Sequence, residues 1–574
     1  MSGALVPTET RYARLVAVVM TGHESVTQVG LAVSDRDRRL PLLVAVVLGI
    51  GGLGYRFFML LLEVPPTNSD EATMGLAALH IAEVRHWPAF FYGQHYMGTI
   101  EAYLAAPIFA WFGSSVLALR LPLLLLYTAF LALLWVLTRW LYSPWLATFT
   151  VGLLALGSDR ILKNQLIAGG GYPEINPLGV LLLLLSVALA LGKIRRRTVS
   201  YAAWGLTAGV LVWDNWLIMP YLVAAGALLL ASDRWQLLRR RCLGGFALLG
   251  GLLLGAAPLL VHAFGTGRDP VSVFLSLSGG GQAGWLDRLY GGVIFGLPMG
   301  TGMCAPSHCQ PWQLWWGMAY PVLLVTAGVL AWRGLRRTAV SLTRTEPGSG
   351  SDLAAELRAW PADRVRHAAR LALVSAAAVS LLSYTFSRAA GTTSVESARY
   401  LHCLLISTPA VLWPLWRLAS RHSAAGRAYR IGTQAVLALT IGTALVATIG
   451  LLGQTASYQR LAEQRRELVA VLRTEGIKHV YADYWTCNNI TFATREETVC
   501  AVLGEDLRAG LDRYLPYRDE VNQASGPTFV LPAGSPLSMA VAGHLTKYGI
   551  DPEVRHIPGY DIYRSGQQVG LPRP

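Results

Sequence analysis

Asp70 and Glu71 are adjacent carboxylates a few residues beyond a long apolar run at 40–62, and the loop Tyr92 to Glu101 follows them. Charge is costly near hydrocarbon, so such a pair belongs where water and substrate can reach it. A carboxylate at that boundary can take a proton from a hydroxyl while other groups hold a lipid-borne partner. The plainer reading is helix capping by Ser69 or Asp70 ahead of Glu71-Ala72-Thr73-Met74. The two readings do not exclude each other. Gln94, His95 and Tyr96 could bind a polar substrate, and they are also ordinary residues for a membrane interface.

A second chemical segment runs from Asp159 to Glu174. Arg160 and Lys163 break the charge trend described below, which suggests a phosphate clamp or lipid headgroup contact. Gly169, Gly170 and Gly171 allow a close backbone approach or a mobile turn. Glu174 opens an apolar run and should face a cavity rather than lipid. Arg399, with Arg388 nearby, is the other exception, and a guanidinium suits bidentate phosphate contacts. A salt bridge from Arg399 to Glu396 is the structural alternative. Asp214, between Trp213 and Trp216, could line the same cavity or merely sit in a turn.

These residues hang on a membrane scaffold. Charged residues make up 14% of the chain and mean hydropathy is +0.42, whereas soluble domains carry about 25% charged residues. Apolar runs near 40–62, 117–139, 145–158, 174–192, 199–213, 216–231, 244–263, 313–332, 368–385, 400–416 and 431–453 predict about eleven transmembrane helices. Basic clusters at Arg36 to Arg39, Lys193 to Arg197, Arg239 to Arg241, Arg333 to Arg337, Arg364 to Arg370 and Arg417 to Arg430 mark every second boundary. That alternation predicts a cytoplasmic N-terminus and an extracytoplasmic C-terminus. It also explains the net charge of +14 without nucleic acid.

Three regions follow: a cytoplasmic tail 1–39, a membrane domain 40–453 with the outer loop 63–116, and an extracytoplasmic α/β domain 454–574 of accessory character. In the last, periodicity predicts a helix over 460–474, strands at 478–483, 528–531 and 560–564, and a helix over 538–547. The segment Tyr514 to Arg518 suits packing better than substrate contact. Glu346 to Ser351 reads as a flexible linker. Cys304 with Cys309, and Cys487 with Cys500, suggest two disulfides on the oxidising side. A metal at Cys304, His308 and Cys309 lacks a fourth ligand.

Asp70-Glu71, Gly93 to Thr99, Ala106-Pro107, Phe112-Gly113 and Leu119 to Pro122 resemble the first outer loop of GT-C glycosyltransferases, in particular the protein O-mannosyltransferase and aminoarabinose transferase group. Ala398-Arg399-Tyr400-Leu401 resembles the Arg-Tyr-Leu signature before a late span of such enzymes. The resemblance implies an all-α polytopic GT-C-like membrane domain of the plasma membrane. It further implies transfer of a sugar from a polyprenyl-phosphate carrier to a protein, glycan or lipid acceptor on the outer face. Asp70 then matches the base and Glu71 the second acid. Arg399, Arg160, Lys163 and Arg388 are expected at the donor phosphate, and Gln94, His95, Tyr96, Glu174 and Tyr400 at the substrates. No cofactor is implied, because arginine and lysine alone can hold a monophosphate. Two rival readings are a transporter or flippase of a lipid-linked substrate and a non-catalytic GT-C-like protein. Transporters place ionisable groups near the bilayer midplane and carry internal repeats; the runs at 117–139 and 431–453 hold almost none, and no repeat is visible.

Overall fold

A computed structural model describes residues 35–237, 242–267, 283–306, 308–343, 360–420, 426–567 and 569–571. Most of the expected N-terminal tail, the cluster Arg239 to Arg241 and the linker Glu346 to Ser351 lie outside the described residues. Among the described residues eight helices are long and apolar enough to cross a bilayer, or ten if two bent pairs each count as one span. The chain is a polytopic membrane protein. Each expected span coincides with a helix or a bent pair, including Asp35–Leu61, Val116–Leu141 and Arg427–Leu452. The helix Arg197–Asp214 packs in the bundle but is less apolar than the eight.

The short third run is the first half of a bent pair. Pro144–Ala155 and Asp159–Leu166 meet at 94°. A break of this kind frees carbonyls that need partners in a dry bundle. Arg56 supplies them, donating to the carbonyl oxygens of Ala155 at 2.9 Å and of Leu154 and Leu156 at 3.3 Å. Its Nε reaches Gln165 Oε1 at 2.8 Å, and its guanidinium lies 3.8 Å from the Tyr127 ring centroid. Elsewhere Gly205 and Gly209 face Gly251 and Gly255. A Cβ at Gly205 would collide with the Leu248 carbonyl, and one at Gly251 with that of Ala202. Small residues four apart are what let two spans approach so closely.

Beyond residue 478 the chain forms a five-stranded sheet: β1 His479–Ala482, β2 Val499–Val502, β3 Thr528–Pro532, β4 Glu553–Ile557 and β5 Tyr560–Arg564. The order is β2-β1-β3-β5-β4, with β1 parallel to β2 and β3, and β5 antiparallel to β3 and β4. The expected strands and helices are present, the latter as Thr455–Thr474 and Pro536–Lys547. β2, β4 and the helices Tyr484–Ala493 and Leu515–Gln523 are additional. Both expected disulfides are formed, Cys304–Cys309 and Cys487–Cys500. The second ties the helix Tyr484–Ala493 to β2.

The sheet does not stand apart from the membrane domain. One apolar core runs from Ala72, Leu76 and Phe109 of the helices Ser69–Ala82 and Ile100–Phe112 to Phe492, Phe529 and Leu531 of the C-terminal region. A Cβ at Gly75 would strike the Phe492 ring.

Candidate active site

The helix Ser69–Ala82 is capped by Asn68, whose Oδ1 accepts from the Glu71 backbone N–H at 2.9 Å. Neither Ser69 nor Asp70 fills that role, so the Asp70 carboxylate is free for other work. The adjacent acids then part company. Glu71 is fully buried, and Arg120 donates to both its oxygens, Nε at 2.7 Å and Nη2 at 2.6 Å. Arg120 Nη1 also holds the Pro65 carbonyl at 2.8 Å. Both Glu71 oxygens are committed to fixing the loop. Asp70 keeps a quarter of its side-chain surface open.

Two residues that sequence reasoning passed over reach Asp70 from the C-terminal region. The Tyr484 hydroxyl donates to Asp70 Oδ1. Arg513 Nη2 donates to the same oxygen at 3.2 Å, and its Nε to the Tyr484 hydroxyl oxygen at 2.8 Å. Burial and the Asp70 charge hold the Tyr484 phenol above its ordinary range, so it serves as a proton donor to the carboxylate rather than as an anion. Asp483 caps the helix that carries Tyr484, accepting from the Trp485 N–H at 2.9 Å. An Asp ahead of Tyr-Trp-Thr was the one local signal that could have revealed it.

The Asp70 charge acts on Arg399, which lies near the start of the spanning segment Ser394–Ala419. Arg399 stacks on Tyr172 and Tyr400, 5.5 and 5.6 Å from their ring centroids. Its Nε is buried without a hydrogen-bond partner among the described residues. Tyr96 joins these groups: burial and Tyr400 raise its phenol, while Arg513 and Arg399 act against them. Arg160 interacts with Arg399 and Tyr172 and donates from Nη2 to the Val395 carbonyl at 2.7 Å. Asp70, Tyr96, Tyr172, Arg160, Arg399, Tyr400, Tyr484 and Arg513 are thus one neighbourhood drawn from four distant stretches of chain.

Other expected residues lie differently. Lys163 pairs with Asp159 at 2.9 Å, one helical turn away. Arg388 is exposed at the start of the short helix Arg388–Thr392. His95 Nδ1 meets His262 Nε2 at 3.0 Å. Gln94 has a buried Oε1 without a partner among the described residues. Glu174 is fully buried beside the carboxyls of Glu101 and Asp214. Glu101 Oε1 accepts from Gly170 and Gly171 at 3.0 and 2.8 Å, which closes the glycine run onto the first loop. Burial pushes the Glu101 carboxyl above the ordinary range. Glu101, Glu174 and Asp214 are thus a buried acidic group in the interior. The Tyr514–Tyr517 segment packs: both rings lie against His80, with centroids 5.1 and 6.4 Å away. No cluster of three or more His, Cys, Asp or Glu side chains suited to a metal occurs among the described residues.

The many-span helical bundle, with the helices Ser69–Ala82 and Ile100–Phe112 packed against a small sheet domain, has counterparts among solved structures. The crystal structure of ArnT from Cupriavidus metallidurans bound to undecaprenyl phosphate is similar at 12% identity and a TM-score of 0.55, over 93% of this chain and 98% of that one. ArnT from the same organism in the apo state gives 13% identity and 0.55, over 92% and 97%. No protein-family model matches the sequence, and no curated protein sequence does. The likeness is one of fold.

Proposed function

We propose that this protein is a membrane glycosyltransferase that moves a sugar from a polyprenyl-phosphate carrier to an acceptor hydroxyl on the extracytoplasmic face. The observation that carries the reading is that a solvent-reachable Asp70 and Arg399, whose buried Nε has no hydrogen-bond partner among the described residues, belong to one neighbourhood. A bound undecaprenyl phosphate in a protein of the same fold supports the donor class. In this mechanism Asp70 takes the acceptor's proton as its oxygen attacks the anomeric carbon. The bond from that carbon to the phosphate oxygen breaks, and the phosphate leaves with the electron pair. Arg399 and Arg160 receive the developing charge. Tyr96 and Tyr400 line the approach, and Tyr484 and Arg513 hold the base in place. Glu71 acts through Arg120 as a positioning residue and does not touch substrate.

The base and the clamp should fail differently. Asp70→Asn should lower turnover by orders of magnitude with donor affinity kept, because the lost interaction is made as the proton moves. Arg399→Ala should weaken donor binding as well, about tenfold or more for a charged hydrogen bond at a semi-buried site. Mass spectrometry of the co-purifying lipid, with transfer assays on both variants, tests this. Normal turnover in Asp70→Asn would sink the reading, as would a co-purifying lipid without a phosphate.

A further inference from the structure

A groove of about 1130 Å³ runs between the helix Thr455–Thr474, the segment 63–67 and the helix Tyr484–Ala493. None of the residues given a role in transfer lines it. Its place in the fold ties it to a bilayer boundary. Glu63 follows the end of the spanning helix Asp35–Leu61, and Val116 begins the spanning helix Val116–Leu141. The helix Thr455–Thr474 continues outward from the spanning Arg427–Leu452. Just before Ser114 at the groove's edge, Trp111 and Phe112 stand 84% and 80% exposed. Bare aromatic rings at the end of an apolar helix are what a lipid–water interface accommodates.

The lining has two characters. Leu461, Val469, Ile490 and Val116 give it an apolar side. Arg465, Arg466, Arg473 and Arg495 face only two carboxylates, Glu63 and Glu497. Arg466 pairs with Glu63, and Arg473 with Glu497 at 3.0 Å. Arg465 and Arg495 instead donate to the backbone carbonyls of Thr67 at 2.8 Å and Ser114 at 3.4 Å, and neither forms a salt bridge among the described residues. We infer that this groove binds the phosphate headgroup of an anionic membrane phospholipid, with its chains following Leu461 and Val116 toward Trp111 and Phe112. Guanidinium forks match phosphate oxygens in pairs, and basic pockets beside spans are suited to such headgroups. The inference does not depend on the transfer reaction.

The full chain in detergent, titrated separately with phosphatidylglycerol, phosphatidylcholine and inorganic phosphate and followed by native mass spectrometry, tests the inference. One phosphatidylglycerol should be retained about fivefold or more tightly than phosphatidylcholine. Arg473→Gln and Arg495→Gln, both at exposed positions where folding is not at stake, should each reduce that preference about threefold or more. A diazirine-bearing phosphatidylglycerol should crosslink to peptides containing 461–473 or 485–497. Equal retention of the two lipids, unaltered variants or crosslinks confined to other spans would overturn the site. Displacement of the lipid by inorganic phosphate alone would identify a free-anion site and overturn the lipid assignment.

Discussion

Because Glu71 is locked to Arg120, Asp70 is the one acid of the pair that a substrate can reach. The two positions should therefore respond to substitution in different ways. Glu71→Gln leaves a buried guanidinium unpaired and should cost about 3–5 kcal/mol of stability, read as a lowered Tm. The double variant Glu71→Leu/Arg120→Met should recover much of that loss, since a buried pair can often be exchanged for apolar groups at little cost. If Glu71→Gln melts like the parent, the pair does not hold the loop. Tyr484→Phe should leave Tm nearly unchanged and lower kcat about ten- to a hundredfold with a smaller change in KM, because a misaimed base costs rate more than binding. A KM-dominated loss would assign Tyr484 to substrate binding instead. Asp70 and Arg399 were legible in the sequence because charge beside apolar runs is conspicuous. Tyr484 and Arg513 were not, since they lie more than four hundred residues from Asp70 and only folding makes them its neighbours.

The helix Ser69–Ala82 is held under the sheet domain by polar contacts as well as apolar ones. Besides the shared apolar core, Glu496 accepts from His80 Nε2 at 2.9 Å and from the Tyr517 hydroxyl at 2.6 Å, and pairs with Arg85. Burial alone would raise Glu496, but the hydrogen bonds of His80, Arg85 and Tyr517 outweigh it and hold the carboxyl down at about 2. A depressed carboxyl stabilises the docked state above its ordinary value of 4.5, and the contribution is lost as pH falls from there through about 2. Hydrogen-exchange protection in 484–517, taken relative to the intrinsic rate at each pH, should therefore fall as pH drops across that window, and Glu496→Gln should flatten the dependence. An unchanged slope in the variant would remove Glu496 from the docking. β1, β3 and β5 were legible as β-rich runs, whereas β4 escaped because four of its five residues are exposed. β2 is a four-residue apolar run too short to carry a period. The bend at 155–159 was foreshadowed only by a span too short to cross, because Arg56, which satisfies the carbonyls freed there, sits on another helix.

Over the whole molecule, the membrane scaffold was the most legible part, because twenty apolar residues in a row leave few alternatives to a spanning helix. The arrangement of its faces follows from the structure. Asp70, the sheet domain and the groove lined by Arg465 and Arg495 all gather at one end of the bundle, joined through Tyr484, Arg513 and the common core. Whichever side of the membrane one occupies, the others must share it. The basic clusters at Lys193 to Arg197 and Arg333 to Arg337 argue that this end is extracytoplasmic, since arginine and lysine are retained on the cytoplasmic side. A polyprenyl-phosphate donor would then have to be presented from the outer leaflet, and the acceptor would be an exported molecule. A cysteine placed at the exposed Asp551, in a chain carrying Cys242→Ser, reports on this directly. We expect an impermeant maleimide to label Asp551→Cys in intact cells as fully as after lysis. Labelling that appears only after lysis would put Asp70 and Arg399 in the cytoplasm, and the transfer reaction proposed here would lose its compartment.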